Sequence, residues 1–196
     1  MNCRRRTVVG TVLLLTDFVT HTRETHPAEK KTAERKLMLS LLREELNDPS
    51  ATIRYKESGQ PFVAGHPHLF ISISHSNGWC ALAVSEKHPV GSDIQTFTSR
   101  LERGMDYFVN QQERQGFKEN PDLRKLYLTW CAKEAVYKQL EGKGIDDLRK
   151  EVTVLPVQAN LNEQGETEGK LSVLFKGEEQ LLSFWIDDEK AVVVTV

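Results

Sequence analysis

Trp130-Cys131-Ala132-Lys133-Glu134-Ala135-Val136-Tyr137-Lys138 is a helix-compatible run that sets a carboxylate and two lysines beside a tryptophan and a tyrosine. At about 100° per residue, Trp130, Glu134, Lys138 and Glu141 fall within an arc of roughly 80°. Leu128, Cys131, Ala132 and Ala135 form a small-residue face on the other side. Both faces can pack, which places Glu134 partly out of water. A partly buried carboxylate is paired or bound to a metal, and a magnesium–phosphate site would use Glu134 and Lys138 together. The alternative is an exposed Glu–Lys pair at i, i+4, contributing about 0.2–0.5 kcal/mol.

Outward from this run, the helix extends from about Pro121 to Glu141 and is ended by Gly142 and Gly144. Upstream, Val8 to Leu15 reads as a strand. A second long helix opens at Pro27, carries Leu37, Leu41 and Leu42 at helical spacing, and stops near Leu46 before Asn47-Asp48-Pro49. A short strand through Ile53-Arg54-Tyr55 leads to the turn Ser58-Gly59-Gln60-Pro61. Leu69 to Ser74 alternates apolar and hydroxyl residues as a half-buried strand does, and Asn77-Gly78 turns it back into Trp79 to Ser85. Val90 to Ile94 is one more strand, followed by an irregular segment from Thr96 to Met105 and a short helix near Asn110 to Lys118. Beyond the central helix, strands are expected around Glu151 to Leu155, Leu171 to Phe175, Leu181 to Ile186 and Ala191 to Val196, with Asn160 to Gly169 as a polar loop tip. Each half holds one long helix and several strands. The expectation is an α+β fold of two similar halves, 1–92 and 93–196.

Bulk composition narrows the function classes. The 196 residues are 39% hydrophobic and 28% charged, enough for a sizeable core. A formal net charge of -2 gives no global basic field for nucleic acid, and no local basic patch stands out. Cys3, Cys80 and Cys131 are odd in number and widely spaced, which fits reduced thiols in the cytoplasm better than disulfides or a zinc knuckle. Arg4-Arg5-Arg6 before Val8 to Leu15 has the outline of a secretory signal, yet the apolar run is short, contains Gly10 and Thr11, and enters Asp17 without a cleavage pattern. It is also far below the ~20 apolar residues of a membrane span.

Polar residues at strand ends are where a scaffold presents chemistry. In Ser72-Ile73-Ser74-His75-Ser76, the hydroxyls and His75 can donate to an anion such as a diphosphate, or can simply cap the turn. In Val90-Gly91-Ser92-Asp93-Ile94-Gln95, the carboxylate can bind a divalent cation through oxygen or make a turn hydrogen bond, and Gly91 permits close backbone approach. Gly59-Gln60-Pro61 alone is a turn. His66-Pro67-His68 lacks the cysteine or carboxylate company of a zinc site. A hydrolase built on Ser74, His75 and Asp93 has no nucleophile elbow, and adjacent strand residues point to opposite faces.

Taken in order, G-Q-P, F-I-S-I-S-H-S, V-G-S-D-I-Q and W-C-A-K-E-A-V-Y-K resemble the 4′-phosphopantetheinyl transferases of the Sfp type, whose pieces read roughly G-K-P, F-N-x-S-H-S, G-x-D-I-E and W-x-x-K-E-A/S-x-x-K. The likeness is strongest over residues 53–145, and Gly142-Lys143-Gly144 resembles the G-K-G after the family's helix. It implies two pseudo-symmetric α+β halves, each a long helix on a mainly antiparallel sheet, with coenzyme A and magnesium in the cleft between them. The implied reaction moves 4′-phosphopantetheine from coenzyme A to a serine of an apo acyl or peptidyl carrier protein and releases 3′,5′-ADP. By motif, Asp93 and Glu134 would hold magnesium, and Glu134 would also help remove the serine proton. Lys138, Ser74, His75 and Gln60 would face coenzyme A. Lys133 is expected to meet solvent or a neighbouring strand. A monomer in the cytoplasm, without membrane or nucleic acid, is the implied state.

Three positions depart from the pattern. Gln95 stands where many members carry a third acidic residue, leaving two carboxylates for the metal. Gln60 replaces a lysine that commonly meets a coenzyme A phosphate, removing a charge-assisted contact of about 1.5–3 kcal/mol. The family's helical arginine has no single match among Arg35, Lys36 and Arg43. These departures motivate an alternative, a non-catalytic member that binds coenzyme A or a carrier protein.

Overall fold

In the computed structural model, which describes residues 3–17, 27–119, 122–157 and 166–196, the first apolar run is folded back on itself. Instead of one strand there are two, β1 (Cys3–Val8) and β2 (Thr11–Asp17), paired antiparallel. Val9 and Gly10 between them both have positive φ, 44° and 81°, the conformation of a tight hairpin turn. Helix α1 (Pro27–Leu46) ends where Asn47 adopts a φ of 48°. The hairpin β3 (Thr52–Tyr55) and β4 (Pro61–Ala64) follows, then the hairpin β5 (Phe70–Ser76) and β6 (Trp79–Ser85), closed by Asn77-Gly78 with both φ positive. Strand β7 (Ser92–Thr96) opens the second half.

The segment expected to be irregular contains a short helix, α2 (Ser99–Arg103), and a single 3-10 turn, Met105–Tyr107. Next come α3 (Gln111–Glu119) and the central helix α4 (Leu123–Gln139), capped by the Asp122 carboxylate on the Arg124 amide. The expected start at Pro121 lies outside the described residues. One turn of helix, α5 (Leu148–Glu151), runs into β8 (Val152–Val154). The chain finishes with β9 (Thr167–Phe175), β10 (Glu178–Ile186) and β11 (Lys190–Thr195). Most of the expected polar loop tip, 160–165, lies outside the described residues. No described helix is long and apolar enough to cross a membrane.

The strands form a four-stranded sheet in the order β1-β2-β6-β5, a five-stranded sheet in the order β7-β11-β10-β9-β8, and the separate β3-β4 hairpin, every pair antiparallel. Strand alternation sorts the core into layers. Leu14, Leu82 and Ile71 pack with Met38, Leu41 and Leu42 of α1. Leu13, Leu15, Ala81 and Ala83 leave the opposite face of the same sheet and meet Ile94, Trp185, Val192 and Val194 of the other. The far face of the five-stranded sheet, through Leu182, Phe184, Ala191 and Val193, carries α4. The architecture is α+β, as expected from the sequence, and is arranged in four layers, helix on sheet on sheet on helix.

One joint between the sheets is polar. β5 and β7 are edge strands lying side by side without a main-chain ladder. Ser72, Ser74 and Ser76 supply the missing acceptors: their hydroxyls receive the Ser92, Ile94 and Thr96 amides at 2.9, 3.3 and 3.0 Å. These are alternate residues of β7, whose outward N–H groups its pairing with β11 leaves over. The hydroxyl alternation legible in β5 thus faces the other half of the molecule.

Candidate active site

Gly91 brings β7 against α4. A Cβ added there would lie 1.8 Å from the Ala135 carbonyl oxygen, so backbone touches backbone at this point. Two residues on, Asp93 stands opposite Val193, on the sheet face that packs against α4. The residue is 5% exposed, and its carboxylate accepts two hydrogen bonds on Oδ1, from the Ser74 hydroxyl at 2.7 Å and from the Lys138 ammonium at 2.7 Å. Lys138 also donates to the Ser92 carbonyl at 3.2 Å. In place of the alternative, an exposed i, i+4 pair on the helix, Lys138 forms a partly buried pair with Asp93 across the two elements.

Glu134, one turn before Lys138, is half-buried. Burial, and then repulsion from Asp93, raise its carboxyl above the usual range, while Lys138 opposes both. Cys131, one turn earlier again, is wholly buried, and burial followed by Asp93 pushes its thiol well above normal. That thiol is no nucleophile at neutral pH. Among the described residues no three His, Cys, Asp or Glu side chains gather as a metal cluster. The acidic centre is the pair Asp93 and Glu134, for Gln95 turns its amide onto the Thr96 carbonyl at 3.1 Å.

Two cavities adjoin at Gly59, Pro61 and Ile73. The smaller, about 210 Å³, lies between the β3–β4 turn and the end of α4 and is lined by Gln60, Tyr137, Lys138 and Glu141. The larger, about 410 Å³, reaches α1 and is lined by Lys31, Glu34, Arg35, Tyr55 and His75. A third, about 270 Å³, lies under α3. Asp93 and Glu134 line none of the three, and the smaller of the adjoining pair meets their cluster through Lys138.

These cavities separate the predicted residues. Ser74 turns toward Asp93 and is committed there, whereas His75, its neighbour on the opposite strand face, lines the larger cavity 4.0 Å from Glu34. Gln60 faces the smaller cavity with its buried Oε1 unpartnered. Of the three basic candidates on α1, Arg35 lines the larger cavity, 5.2 Å from the Tyr55 ring, while Arg43 holds the Ala51 carbonyl at 2.9 Å and Lys36 is exposed.

The expectation for Lys133 is corrected. Its side chain is fully buried and pairs with Glu113 at 2.9 Å, also reaching the Leu148 carbonyl at 3.3 Å. Glu113 in turn accepts the Asn110 and Val154 amides, each at 2.8 Å, and Asn110 accepts the Glu113 amide at 2.9 Å. This reciprocal capping box starts α3 and ties it to β8 and to α4, one residue before Glu134. Glu113 escaped the sequence reading, although the Asn110-x-x-Glu113 spacing is the signal that could have exposed the box.

The geometry therefore brings together Asp93, Glu134, Lys138 and Ser74, and sets Gln60 and His75 in the adjoining cavities. The family model for the 4′-phosphopantetheinyl transferase superfamily matches residues 89–195, which span β7, α4 and the second sheet. The chain is 31% identical over 100 residues to the 4′-phosphopantetheinyl transferase AcpT of Salmonella typhimurium, covering 48% of this chain and 52% of the relative. It is 29% identical over 99 residues to AcpT of Escherichia coli K12, covering 48% and 51%. The chain spans about half the length of the curated relatives it matches. Since the family match takes in more than half of the sequence and both carboxylates of the buried cluster, the chain belongs to the 4′-phosphopantetheinyl transferase superfamily.

Proposed function

We propose that the chain transfers 4′-phosphopantetheine from coenzyme A to a serine of an apo acyl or peptidyl carrier protein, with magnesium, and releases 3′,5′-ADP. The observation that carries this reading is the buried Asp93 carboxylate, gripped by Lys138 and Ser74, with a second, reluctantly ionised carboxylate at Glu134 beside it. The donor set suits magnesium. It offers two carboxylates, while burial keeps the neighbouring Cys131 thiol protonated, and a cation between the carboxylates would relieve the repulsion from Asp93 that adds to burial in raising Glu134. Asp93 and Glu134 would hold the ion, which when bound supplies charge neutralisation for the diphosphate.

The remaining work falls to side chains. Lys138 has three N–H donors and spends two on Asp93 and Ser92, leaving one for a diphosphate oxygen. Ser74 fixes Asp93. Arg35 and Lys31 bring two positive charges to the larger cavity against the single negative charge of Glu34, and the His75 ring adds a hydrogen-bonding group for a phosphate. Glu134, whose carboxyl is raised by burial and then by Asp93, takes the proton of the incoming serine directly or through water. The serine oxygen then bonds to the phosphorus that carries the pantetheine arm. The bridging P–O bond breaks, and its electron pair leaves with 3′,5′-ADP. In this reading the protein works as a monomer, because both cleft walls come from one chain, and in the cytoplasm, which suits the unpaired thiols of Cys3, Cys80 and Cys131.

The test is transfer of labelled phosphopantetheine to a panel of apo carrier proteins in the presence of magnesium. Transfer to none of them overturns the reading. Coenzyme A binding by calorimetry without transfer would instead favour the non-catalytic binder, for which Gln60 and Gln95 are the motive.

A further inference from the structure

An ion pair that the buried cluster does not require reaches the wall of the smaller cavity at Glu141. Lys56 sits in the β3–β4 turn, its amide on the Gln60 carbonyl at 2.9 Å and its carbonyl taking the Gly59 amide at 2.9 Å, so Lys56 and Gln60 face each other across the turn. Its ammonium crosses to Glu141, just past the end of α4, at 2.9 Å. The two walls of the cavity, Gln60 on one side and Tyr137, Lys138 and Glu141 on the other, are thus clasped together. Gln60 brings no charge to its own wall, and its Oε1 is buried without a donor. Glu141 brings a negative charge next to Lys138, where an anionic ligand would be repelled unless that charge were balanced.

We propose that Lys56 is a phosphate-binding residue of this cavity and that Glu141 is its resting counterion, exchanged for a phosphate of the ligand on binding. The exchange is cheap. Lys56 is 45% exposed in its side chain, and exposed ion pairs contribute little to stability. Glu141 is not stranded when Lys56 leaves, because Lys143 stands 3.6 Å from its other carboxylate oxygen. A phosphate oxygen offers Lys56 a charge-assisted bond of the same kind with more negative charge behind it. The inference rests on the coenzyme A reading above and supplies, four residues away, the cation that Gln60 lacks.

Opposite signs in two variants provide the test. Coenzyme A is titrated calorimetrically, with magnesium present, into wild type, Lys56→Met and Glu141→Gln, and each Tm is measured alongside. Lys56→Met is expected to weaken binding by about tenfold. Glu141→Gln, which removes the competing anion, is expected to tighten it, and Lys56→Arg to retain it. A clasp with only a structural role would make Lys56→Met and Glu141→Gln fall in the same direction. Dephospho-coenzyme A identifies the phosphate: a deficit in Lys56→Met that persists with it assigns Lys56 to the diphosphate, and one that vanishes assigns it to the 3′-phosphate. If wild type binds coenzyme A and Lys56→Met binds it equally well, this inference alone falls. If wild type binds none, the coenzyme A reading falls with it.

Discussion

Glu134 is kept where its charge is disfavoured, and that cost has a measurable sign. Its folded-state pKa is raised above the ordinary 4.5, so the stability it contributes is complete below that value and is lost as pH rises through the folded pKa. At neutral pH the group therefore opposes folding. Glu134→Gln is expected to abolish transfer, as is Asp93→Asn, and yet to raise Tm at pH 7, by about 2–4 °C for each kcal/mol recovered. The gain should shrink toward pH 4; a loss of stability at pH 7 would contradict it. Lys133, next to it, behaves in the opposite way, being paired and indispensable. Lys133→Met strands the Glu113 charge in the core and is expected to cost about 3–5 kcal/mol in urea unfolding. Adding Glu113→Gln should return part of that loss, since no unpaired charge then remains. At this scale the sequence was legible where residues of separate motifs come together. Asp93, Glu134 and Lys138 converge as their motifs imply. Lys133 was not legible, because its partner lies 20 positions away on another helix and helical angle alone does not reveal what packs over it.

Elements were legible in proportion to their length. The alternation of Leu69 to Ser74 and the Asn77-Gly78 turn gave the β5–β6 hairpin, and α1 and α4 fall within a few residues of expectation. The misses were short: the turn at Val9-Gly10 inside an unbroken apolar run, and α2 and α5, whose single turns carry too few residues for a period to show. The alternation of β5 also held information that periodicity could not decode. Its hydroxyls replace main-chain acceptors for β7, so Ser72→Ala and Ser76→Ala should each leave an amide of β7 without a partner, costing about 1–3 kcal/mol. Hydrogen exchange should report it locally, with faster exchange of the Ser92 amide in the first variant and of the Thr96 amide in the second. Unchanged protection at both amides would mean that the serines are not holding the strands.

For the whole molecule, the layered core decides how it unfolds. Leu13, Leu15, Ala81 and Ala83 are buried only because Ile94, Trp185, Val192 and Val194 cover them, and the converse is equally true. Neither sheet has a complete core alone. We expect one cooperative transition, with tryptophan fluorescence and far-ultraviolet circular dichroism superimposing in urea, and fragments 1–91 and 92–196 that stay unfolded when made separately; two resolved transitions would refute this. The α+β class was readable from the order of elements, but the apolar layer shared by the two sheets was not, because strand alternation says which residues share a face and not what that face meets. The serine joint has a last consequence, for life in a crowded solution. A sheet edge with free amides is an invitation to other chains. Here β5 and β7 close their edges on each other within one molecule, β1 carries Arg4, Arg5 and Arg6 along its edge, and β8 offers only three residues. Side-chain oxygens and charge thereby cover these sheet edges, and loosening the joint would expose two sticky edges at once.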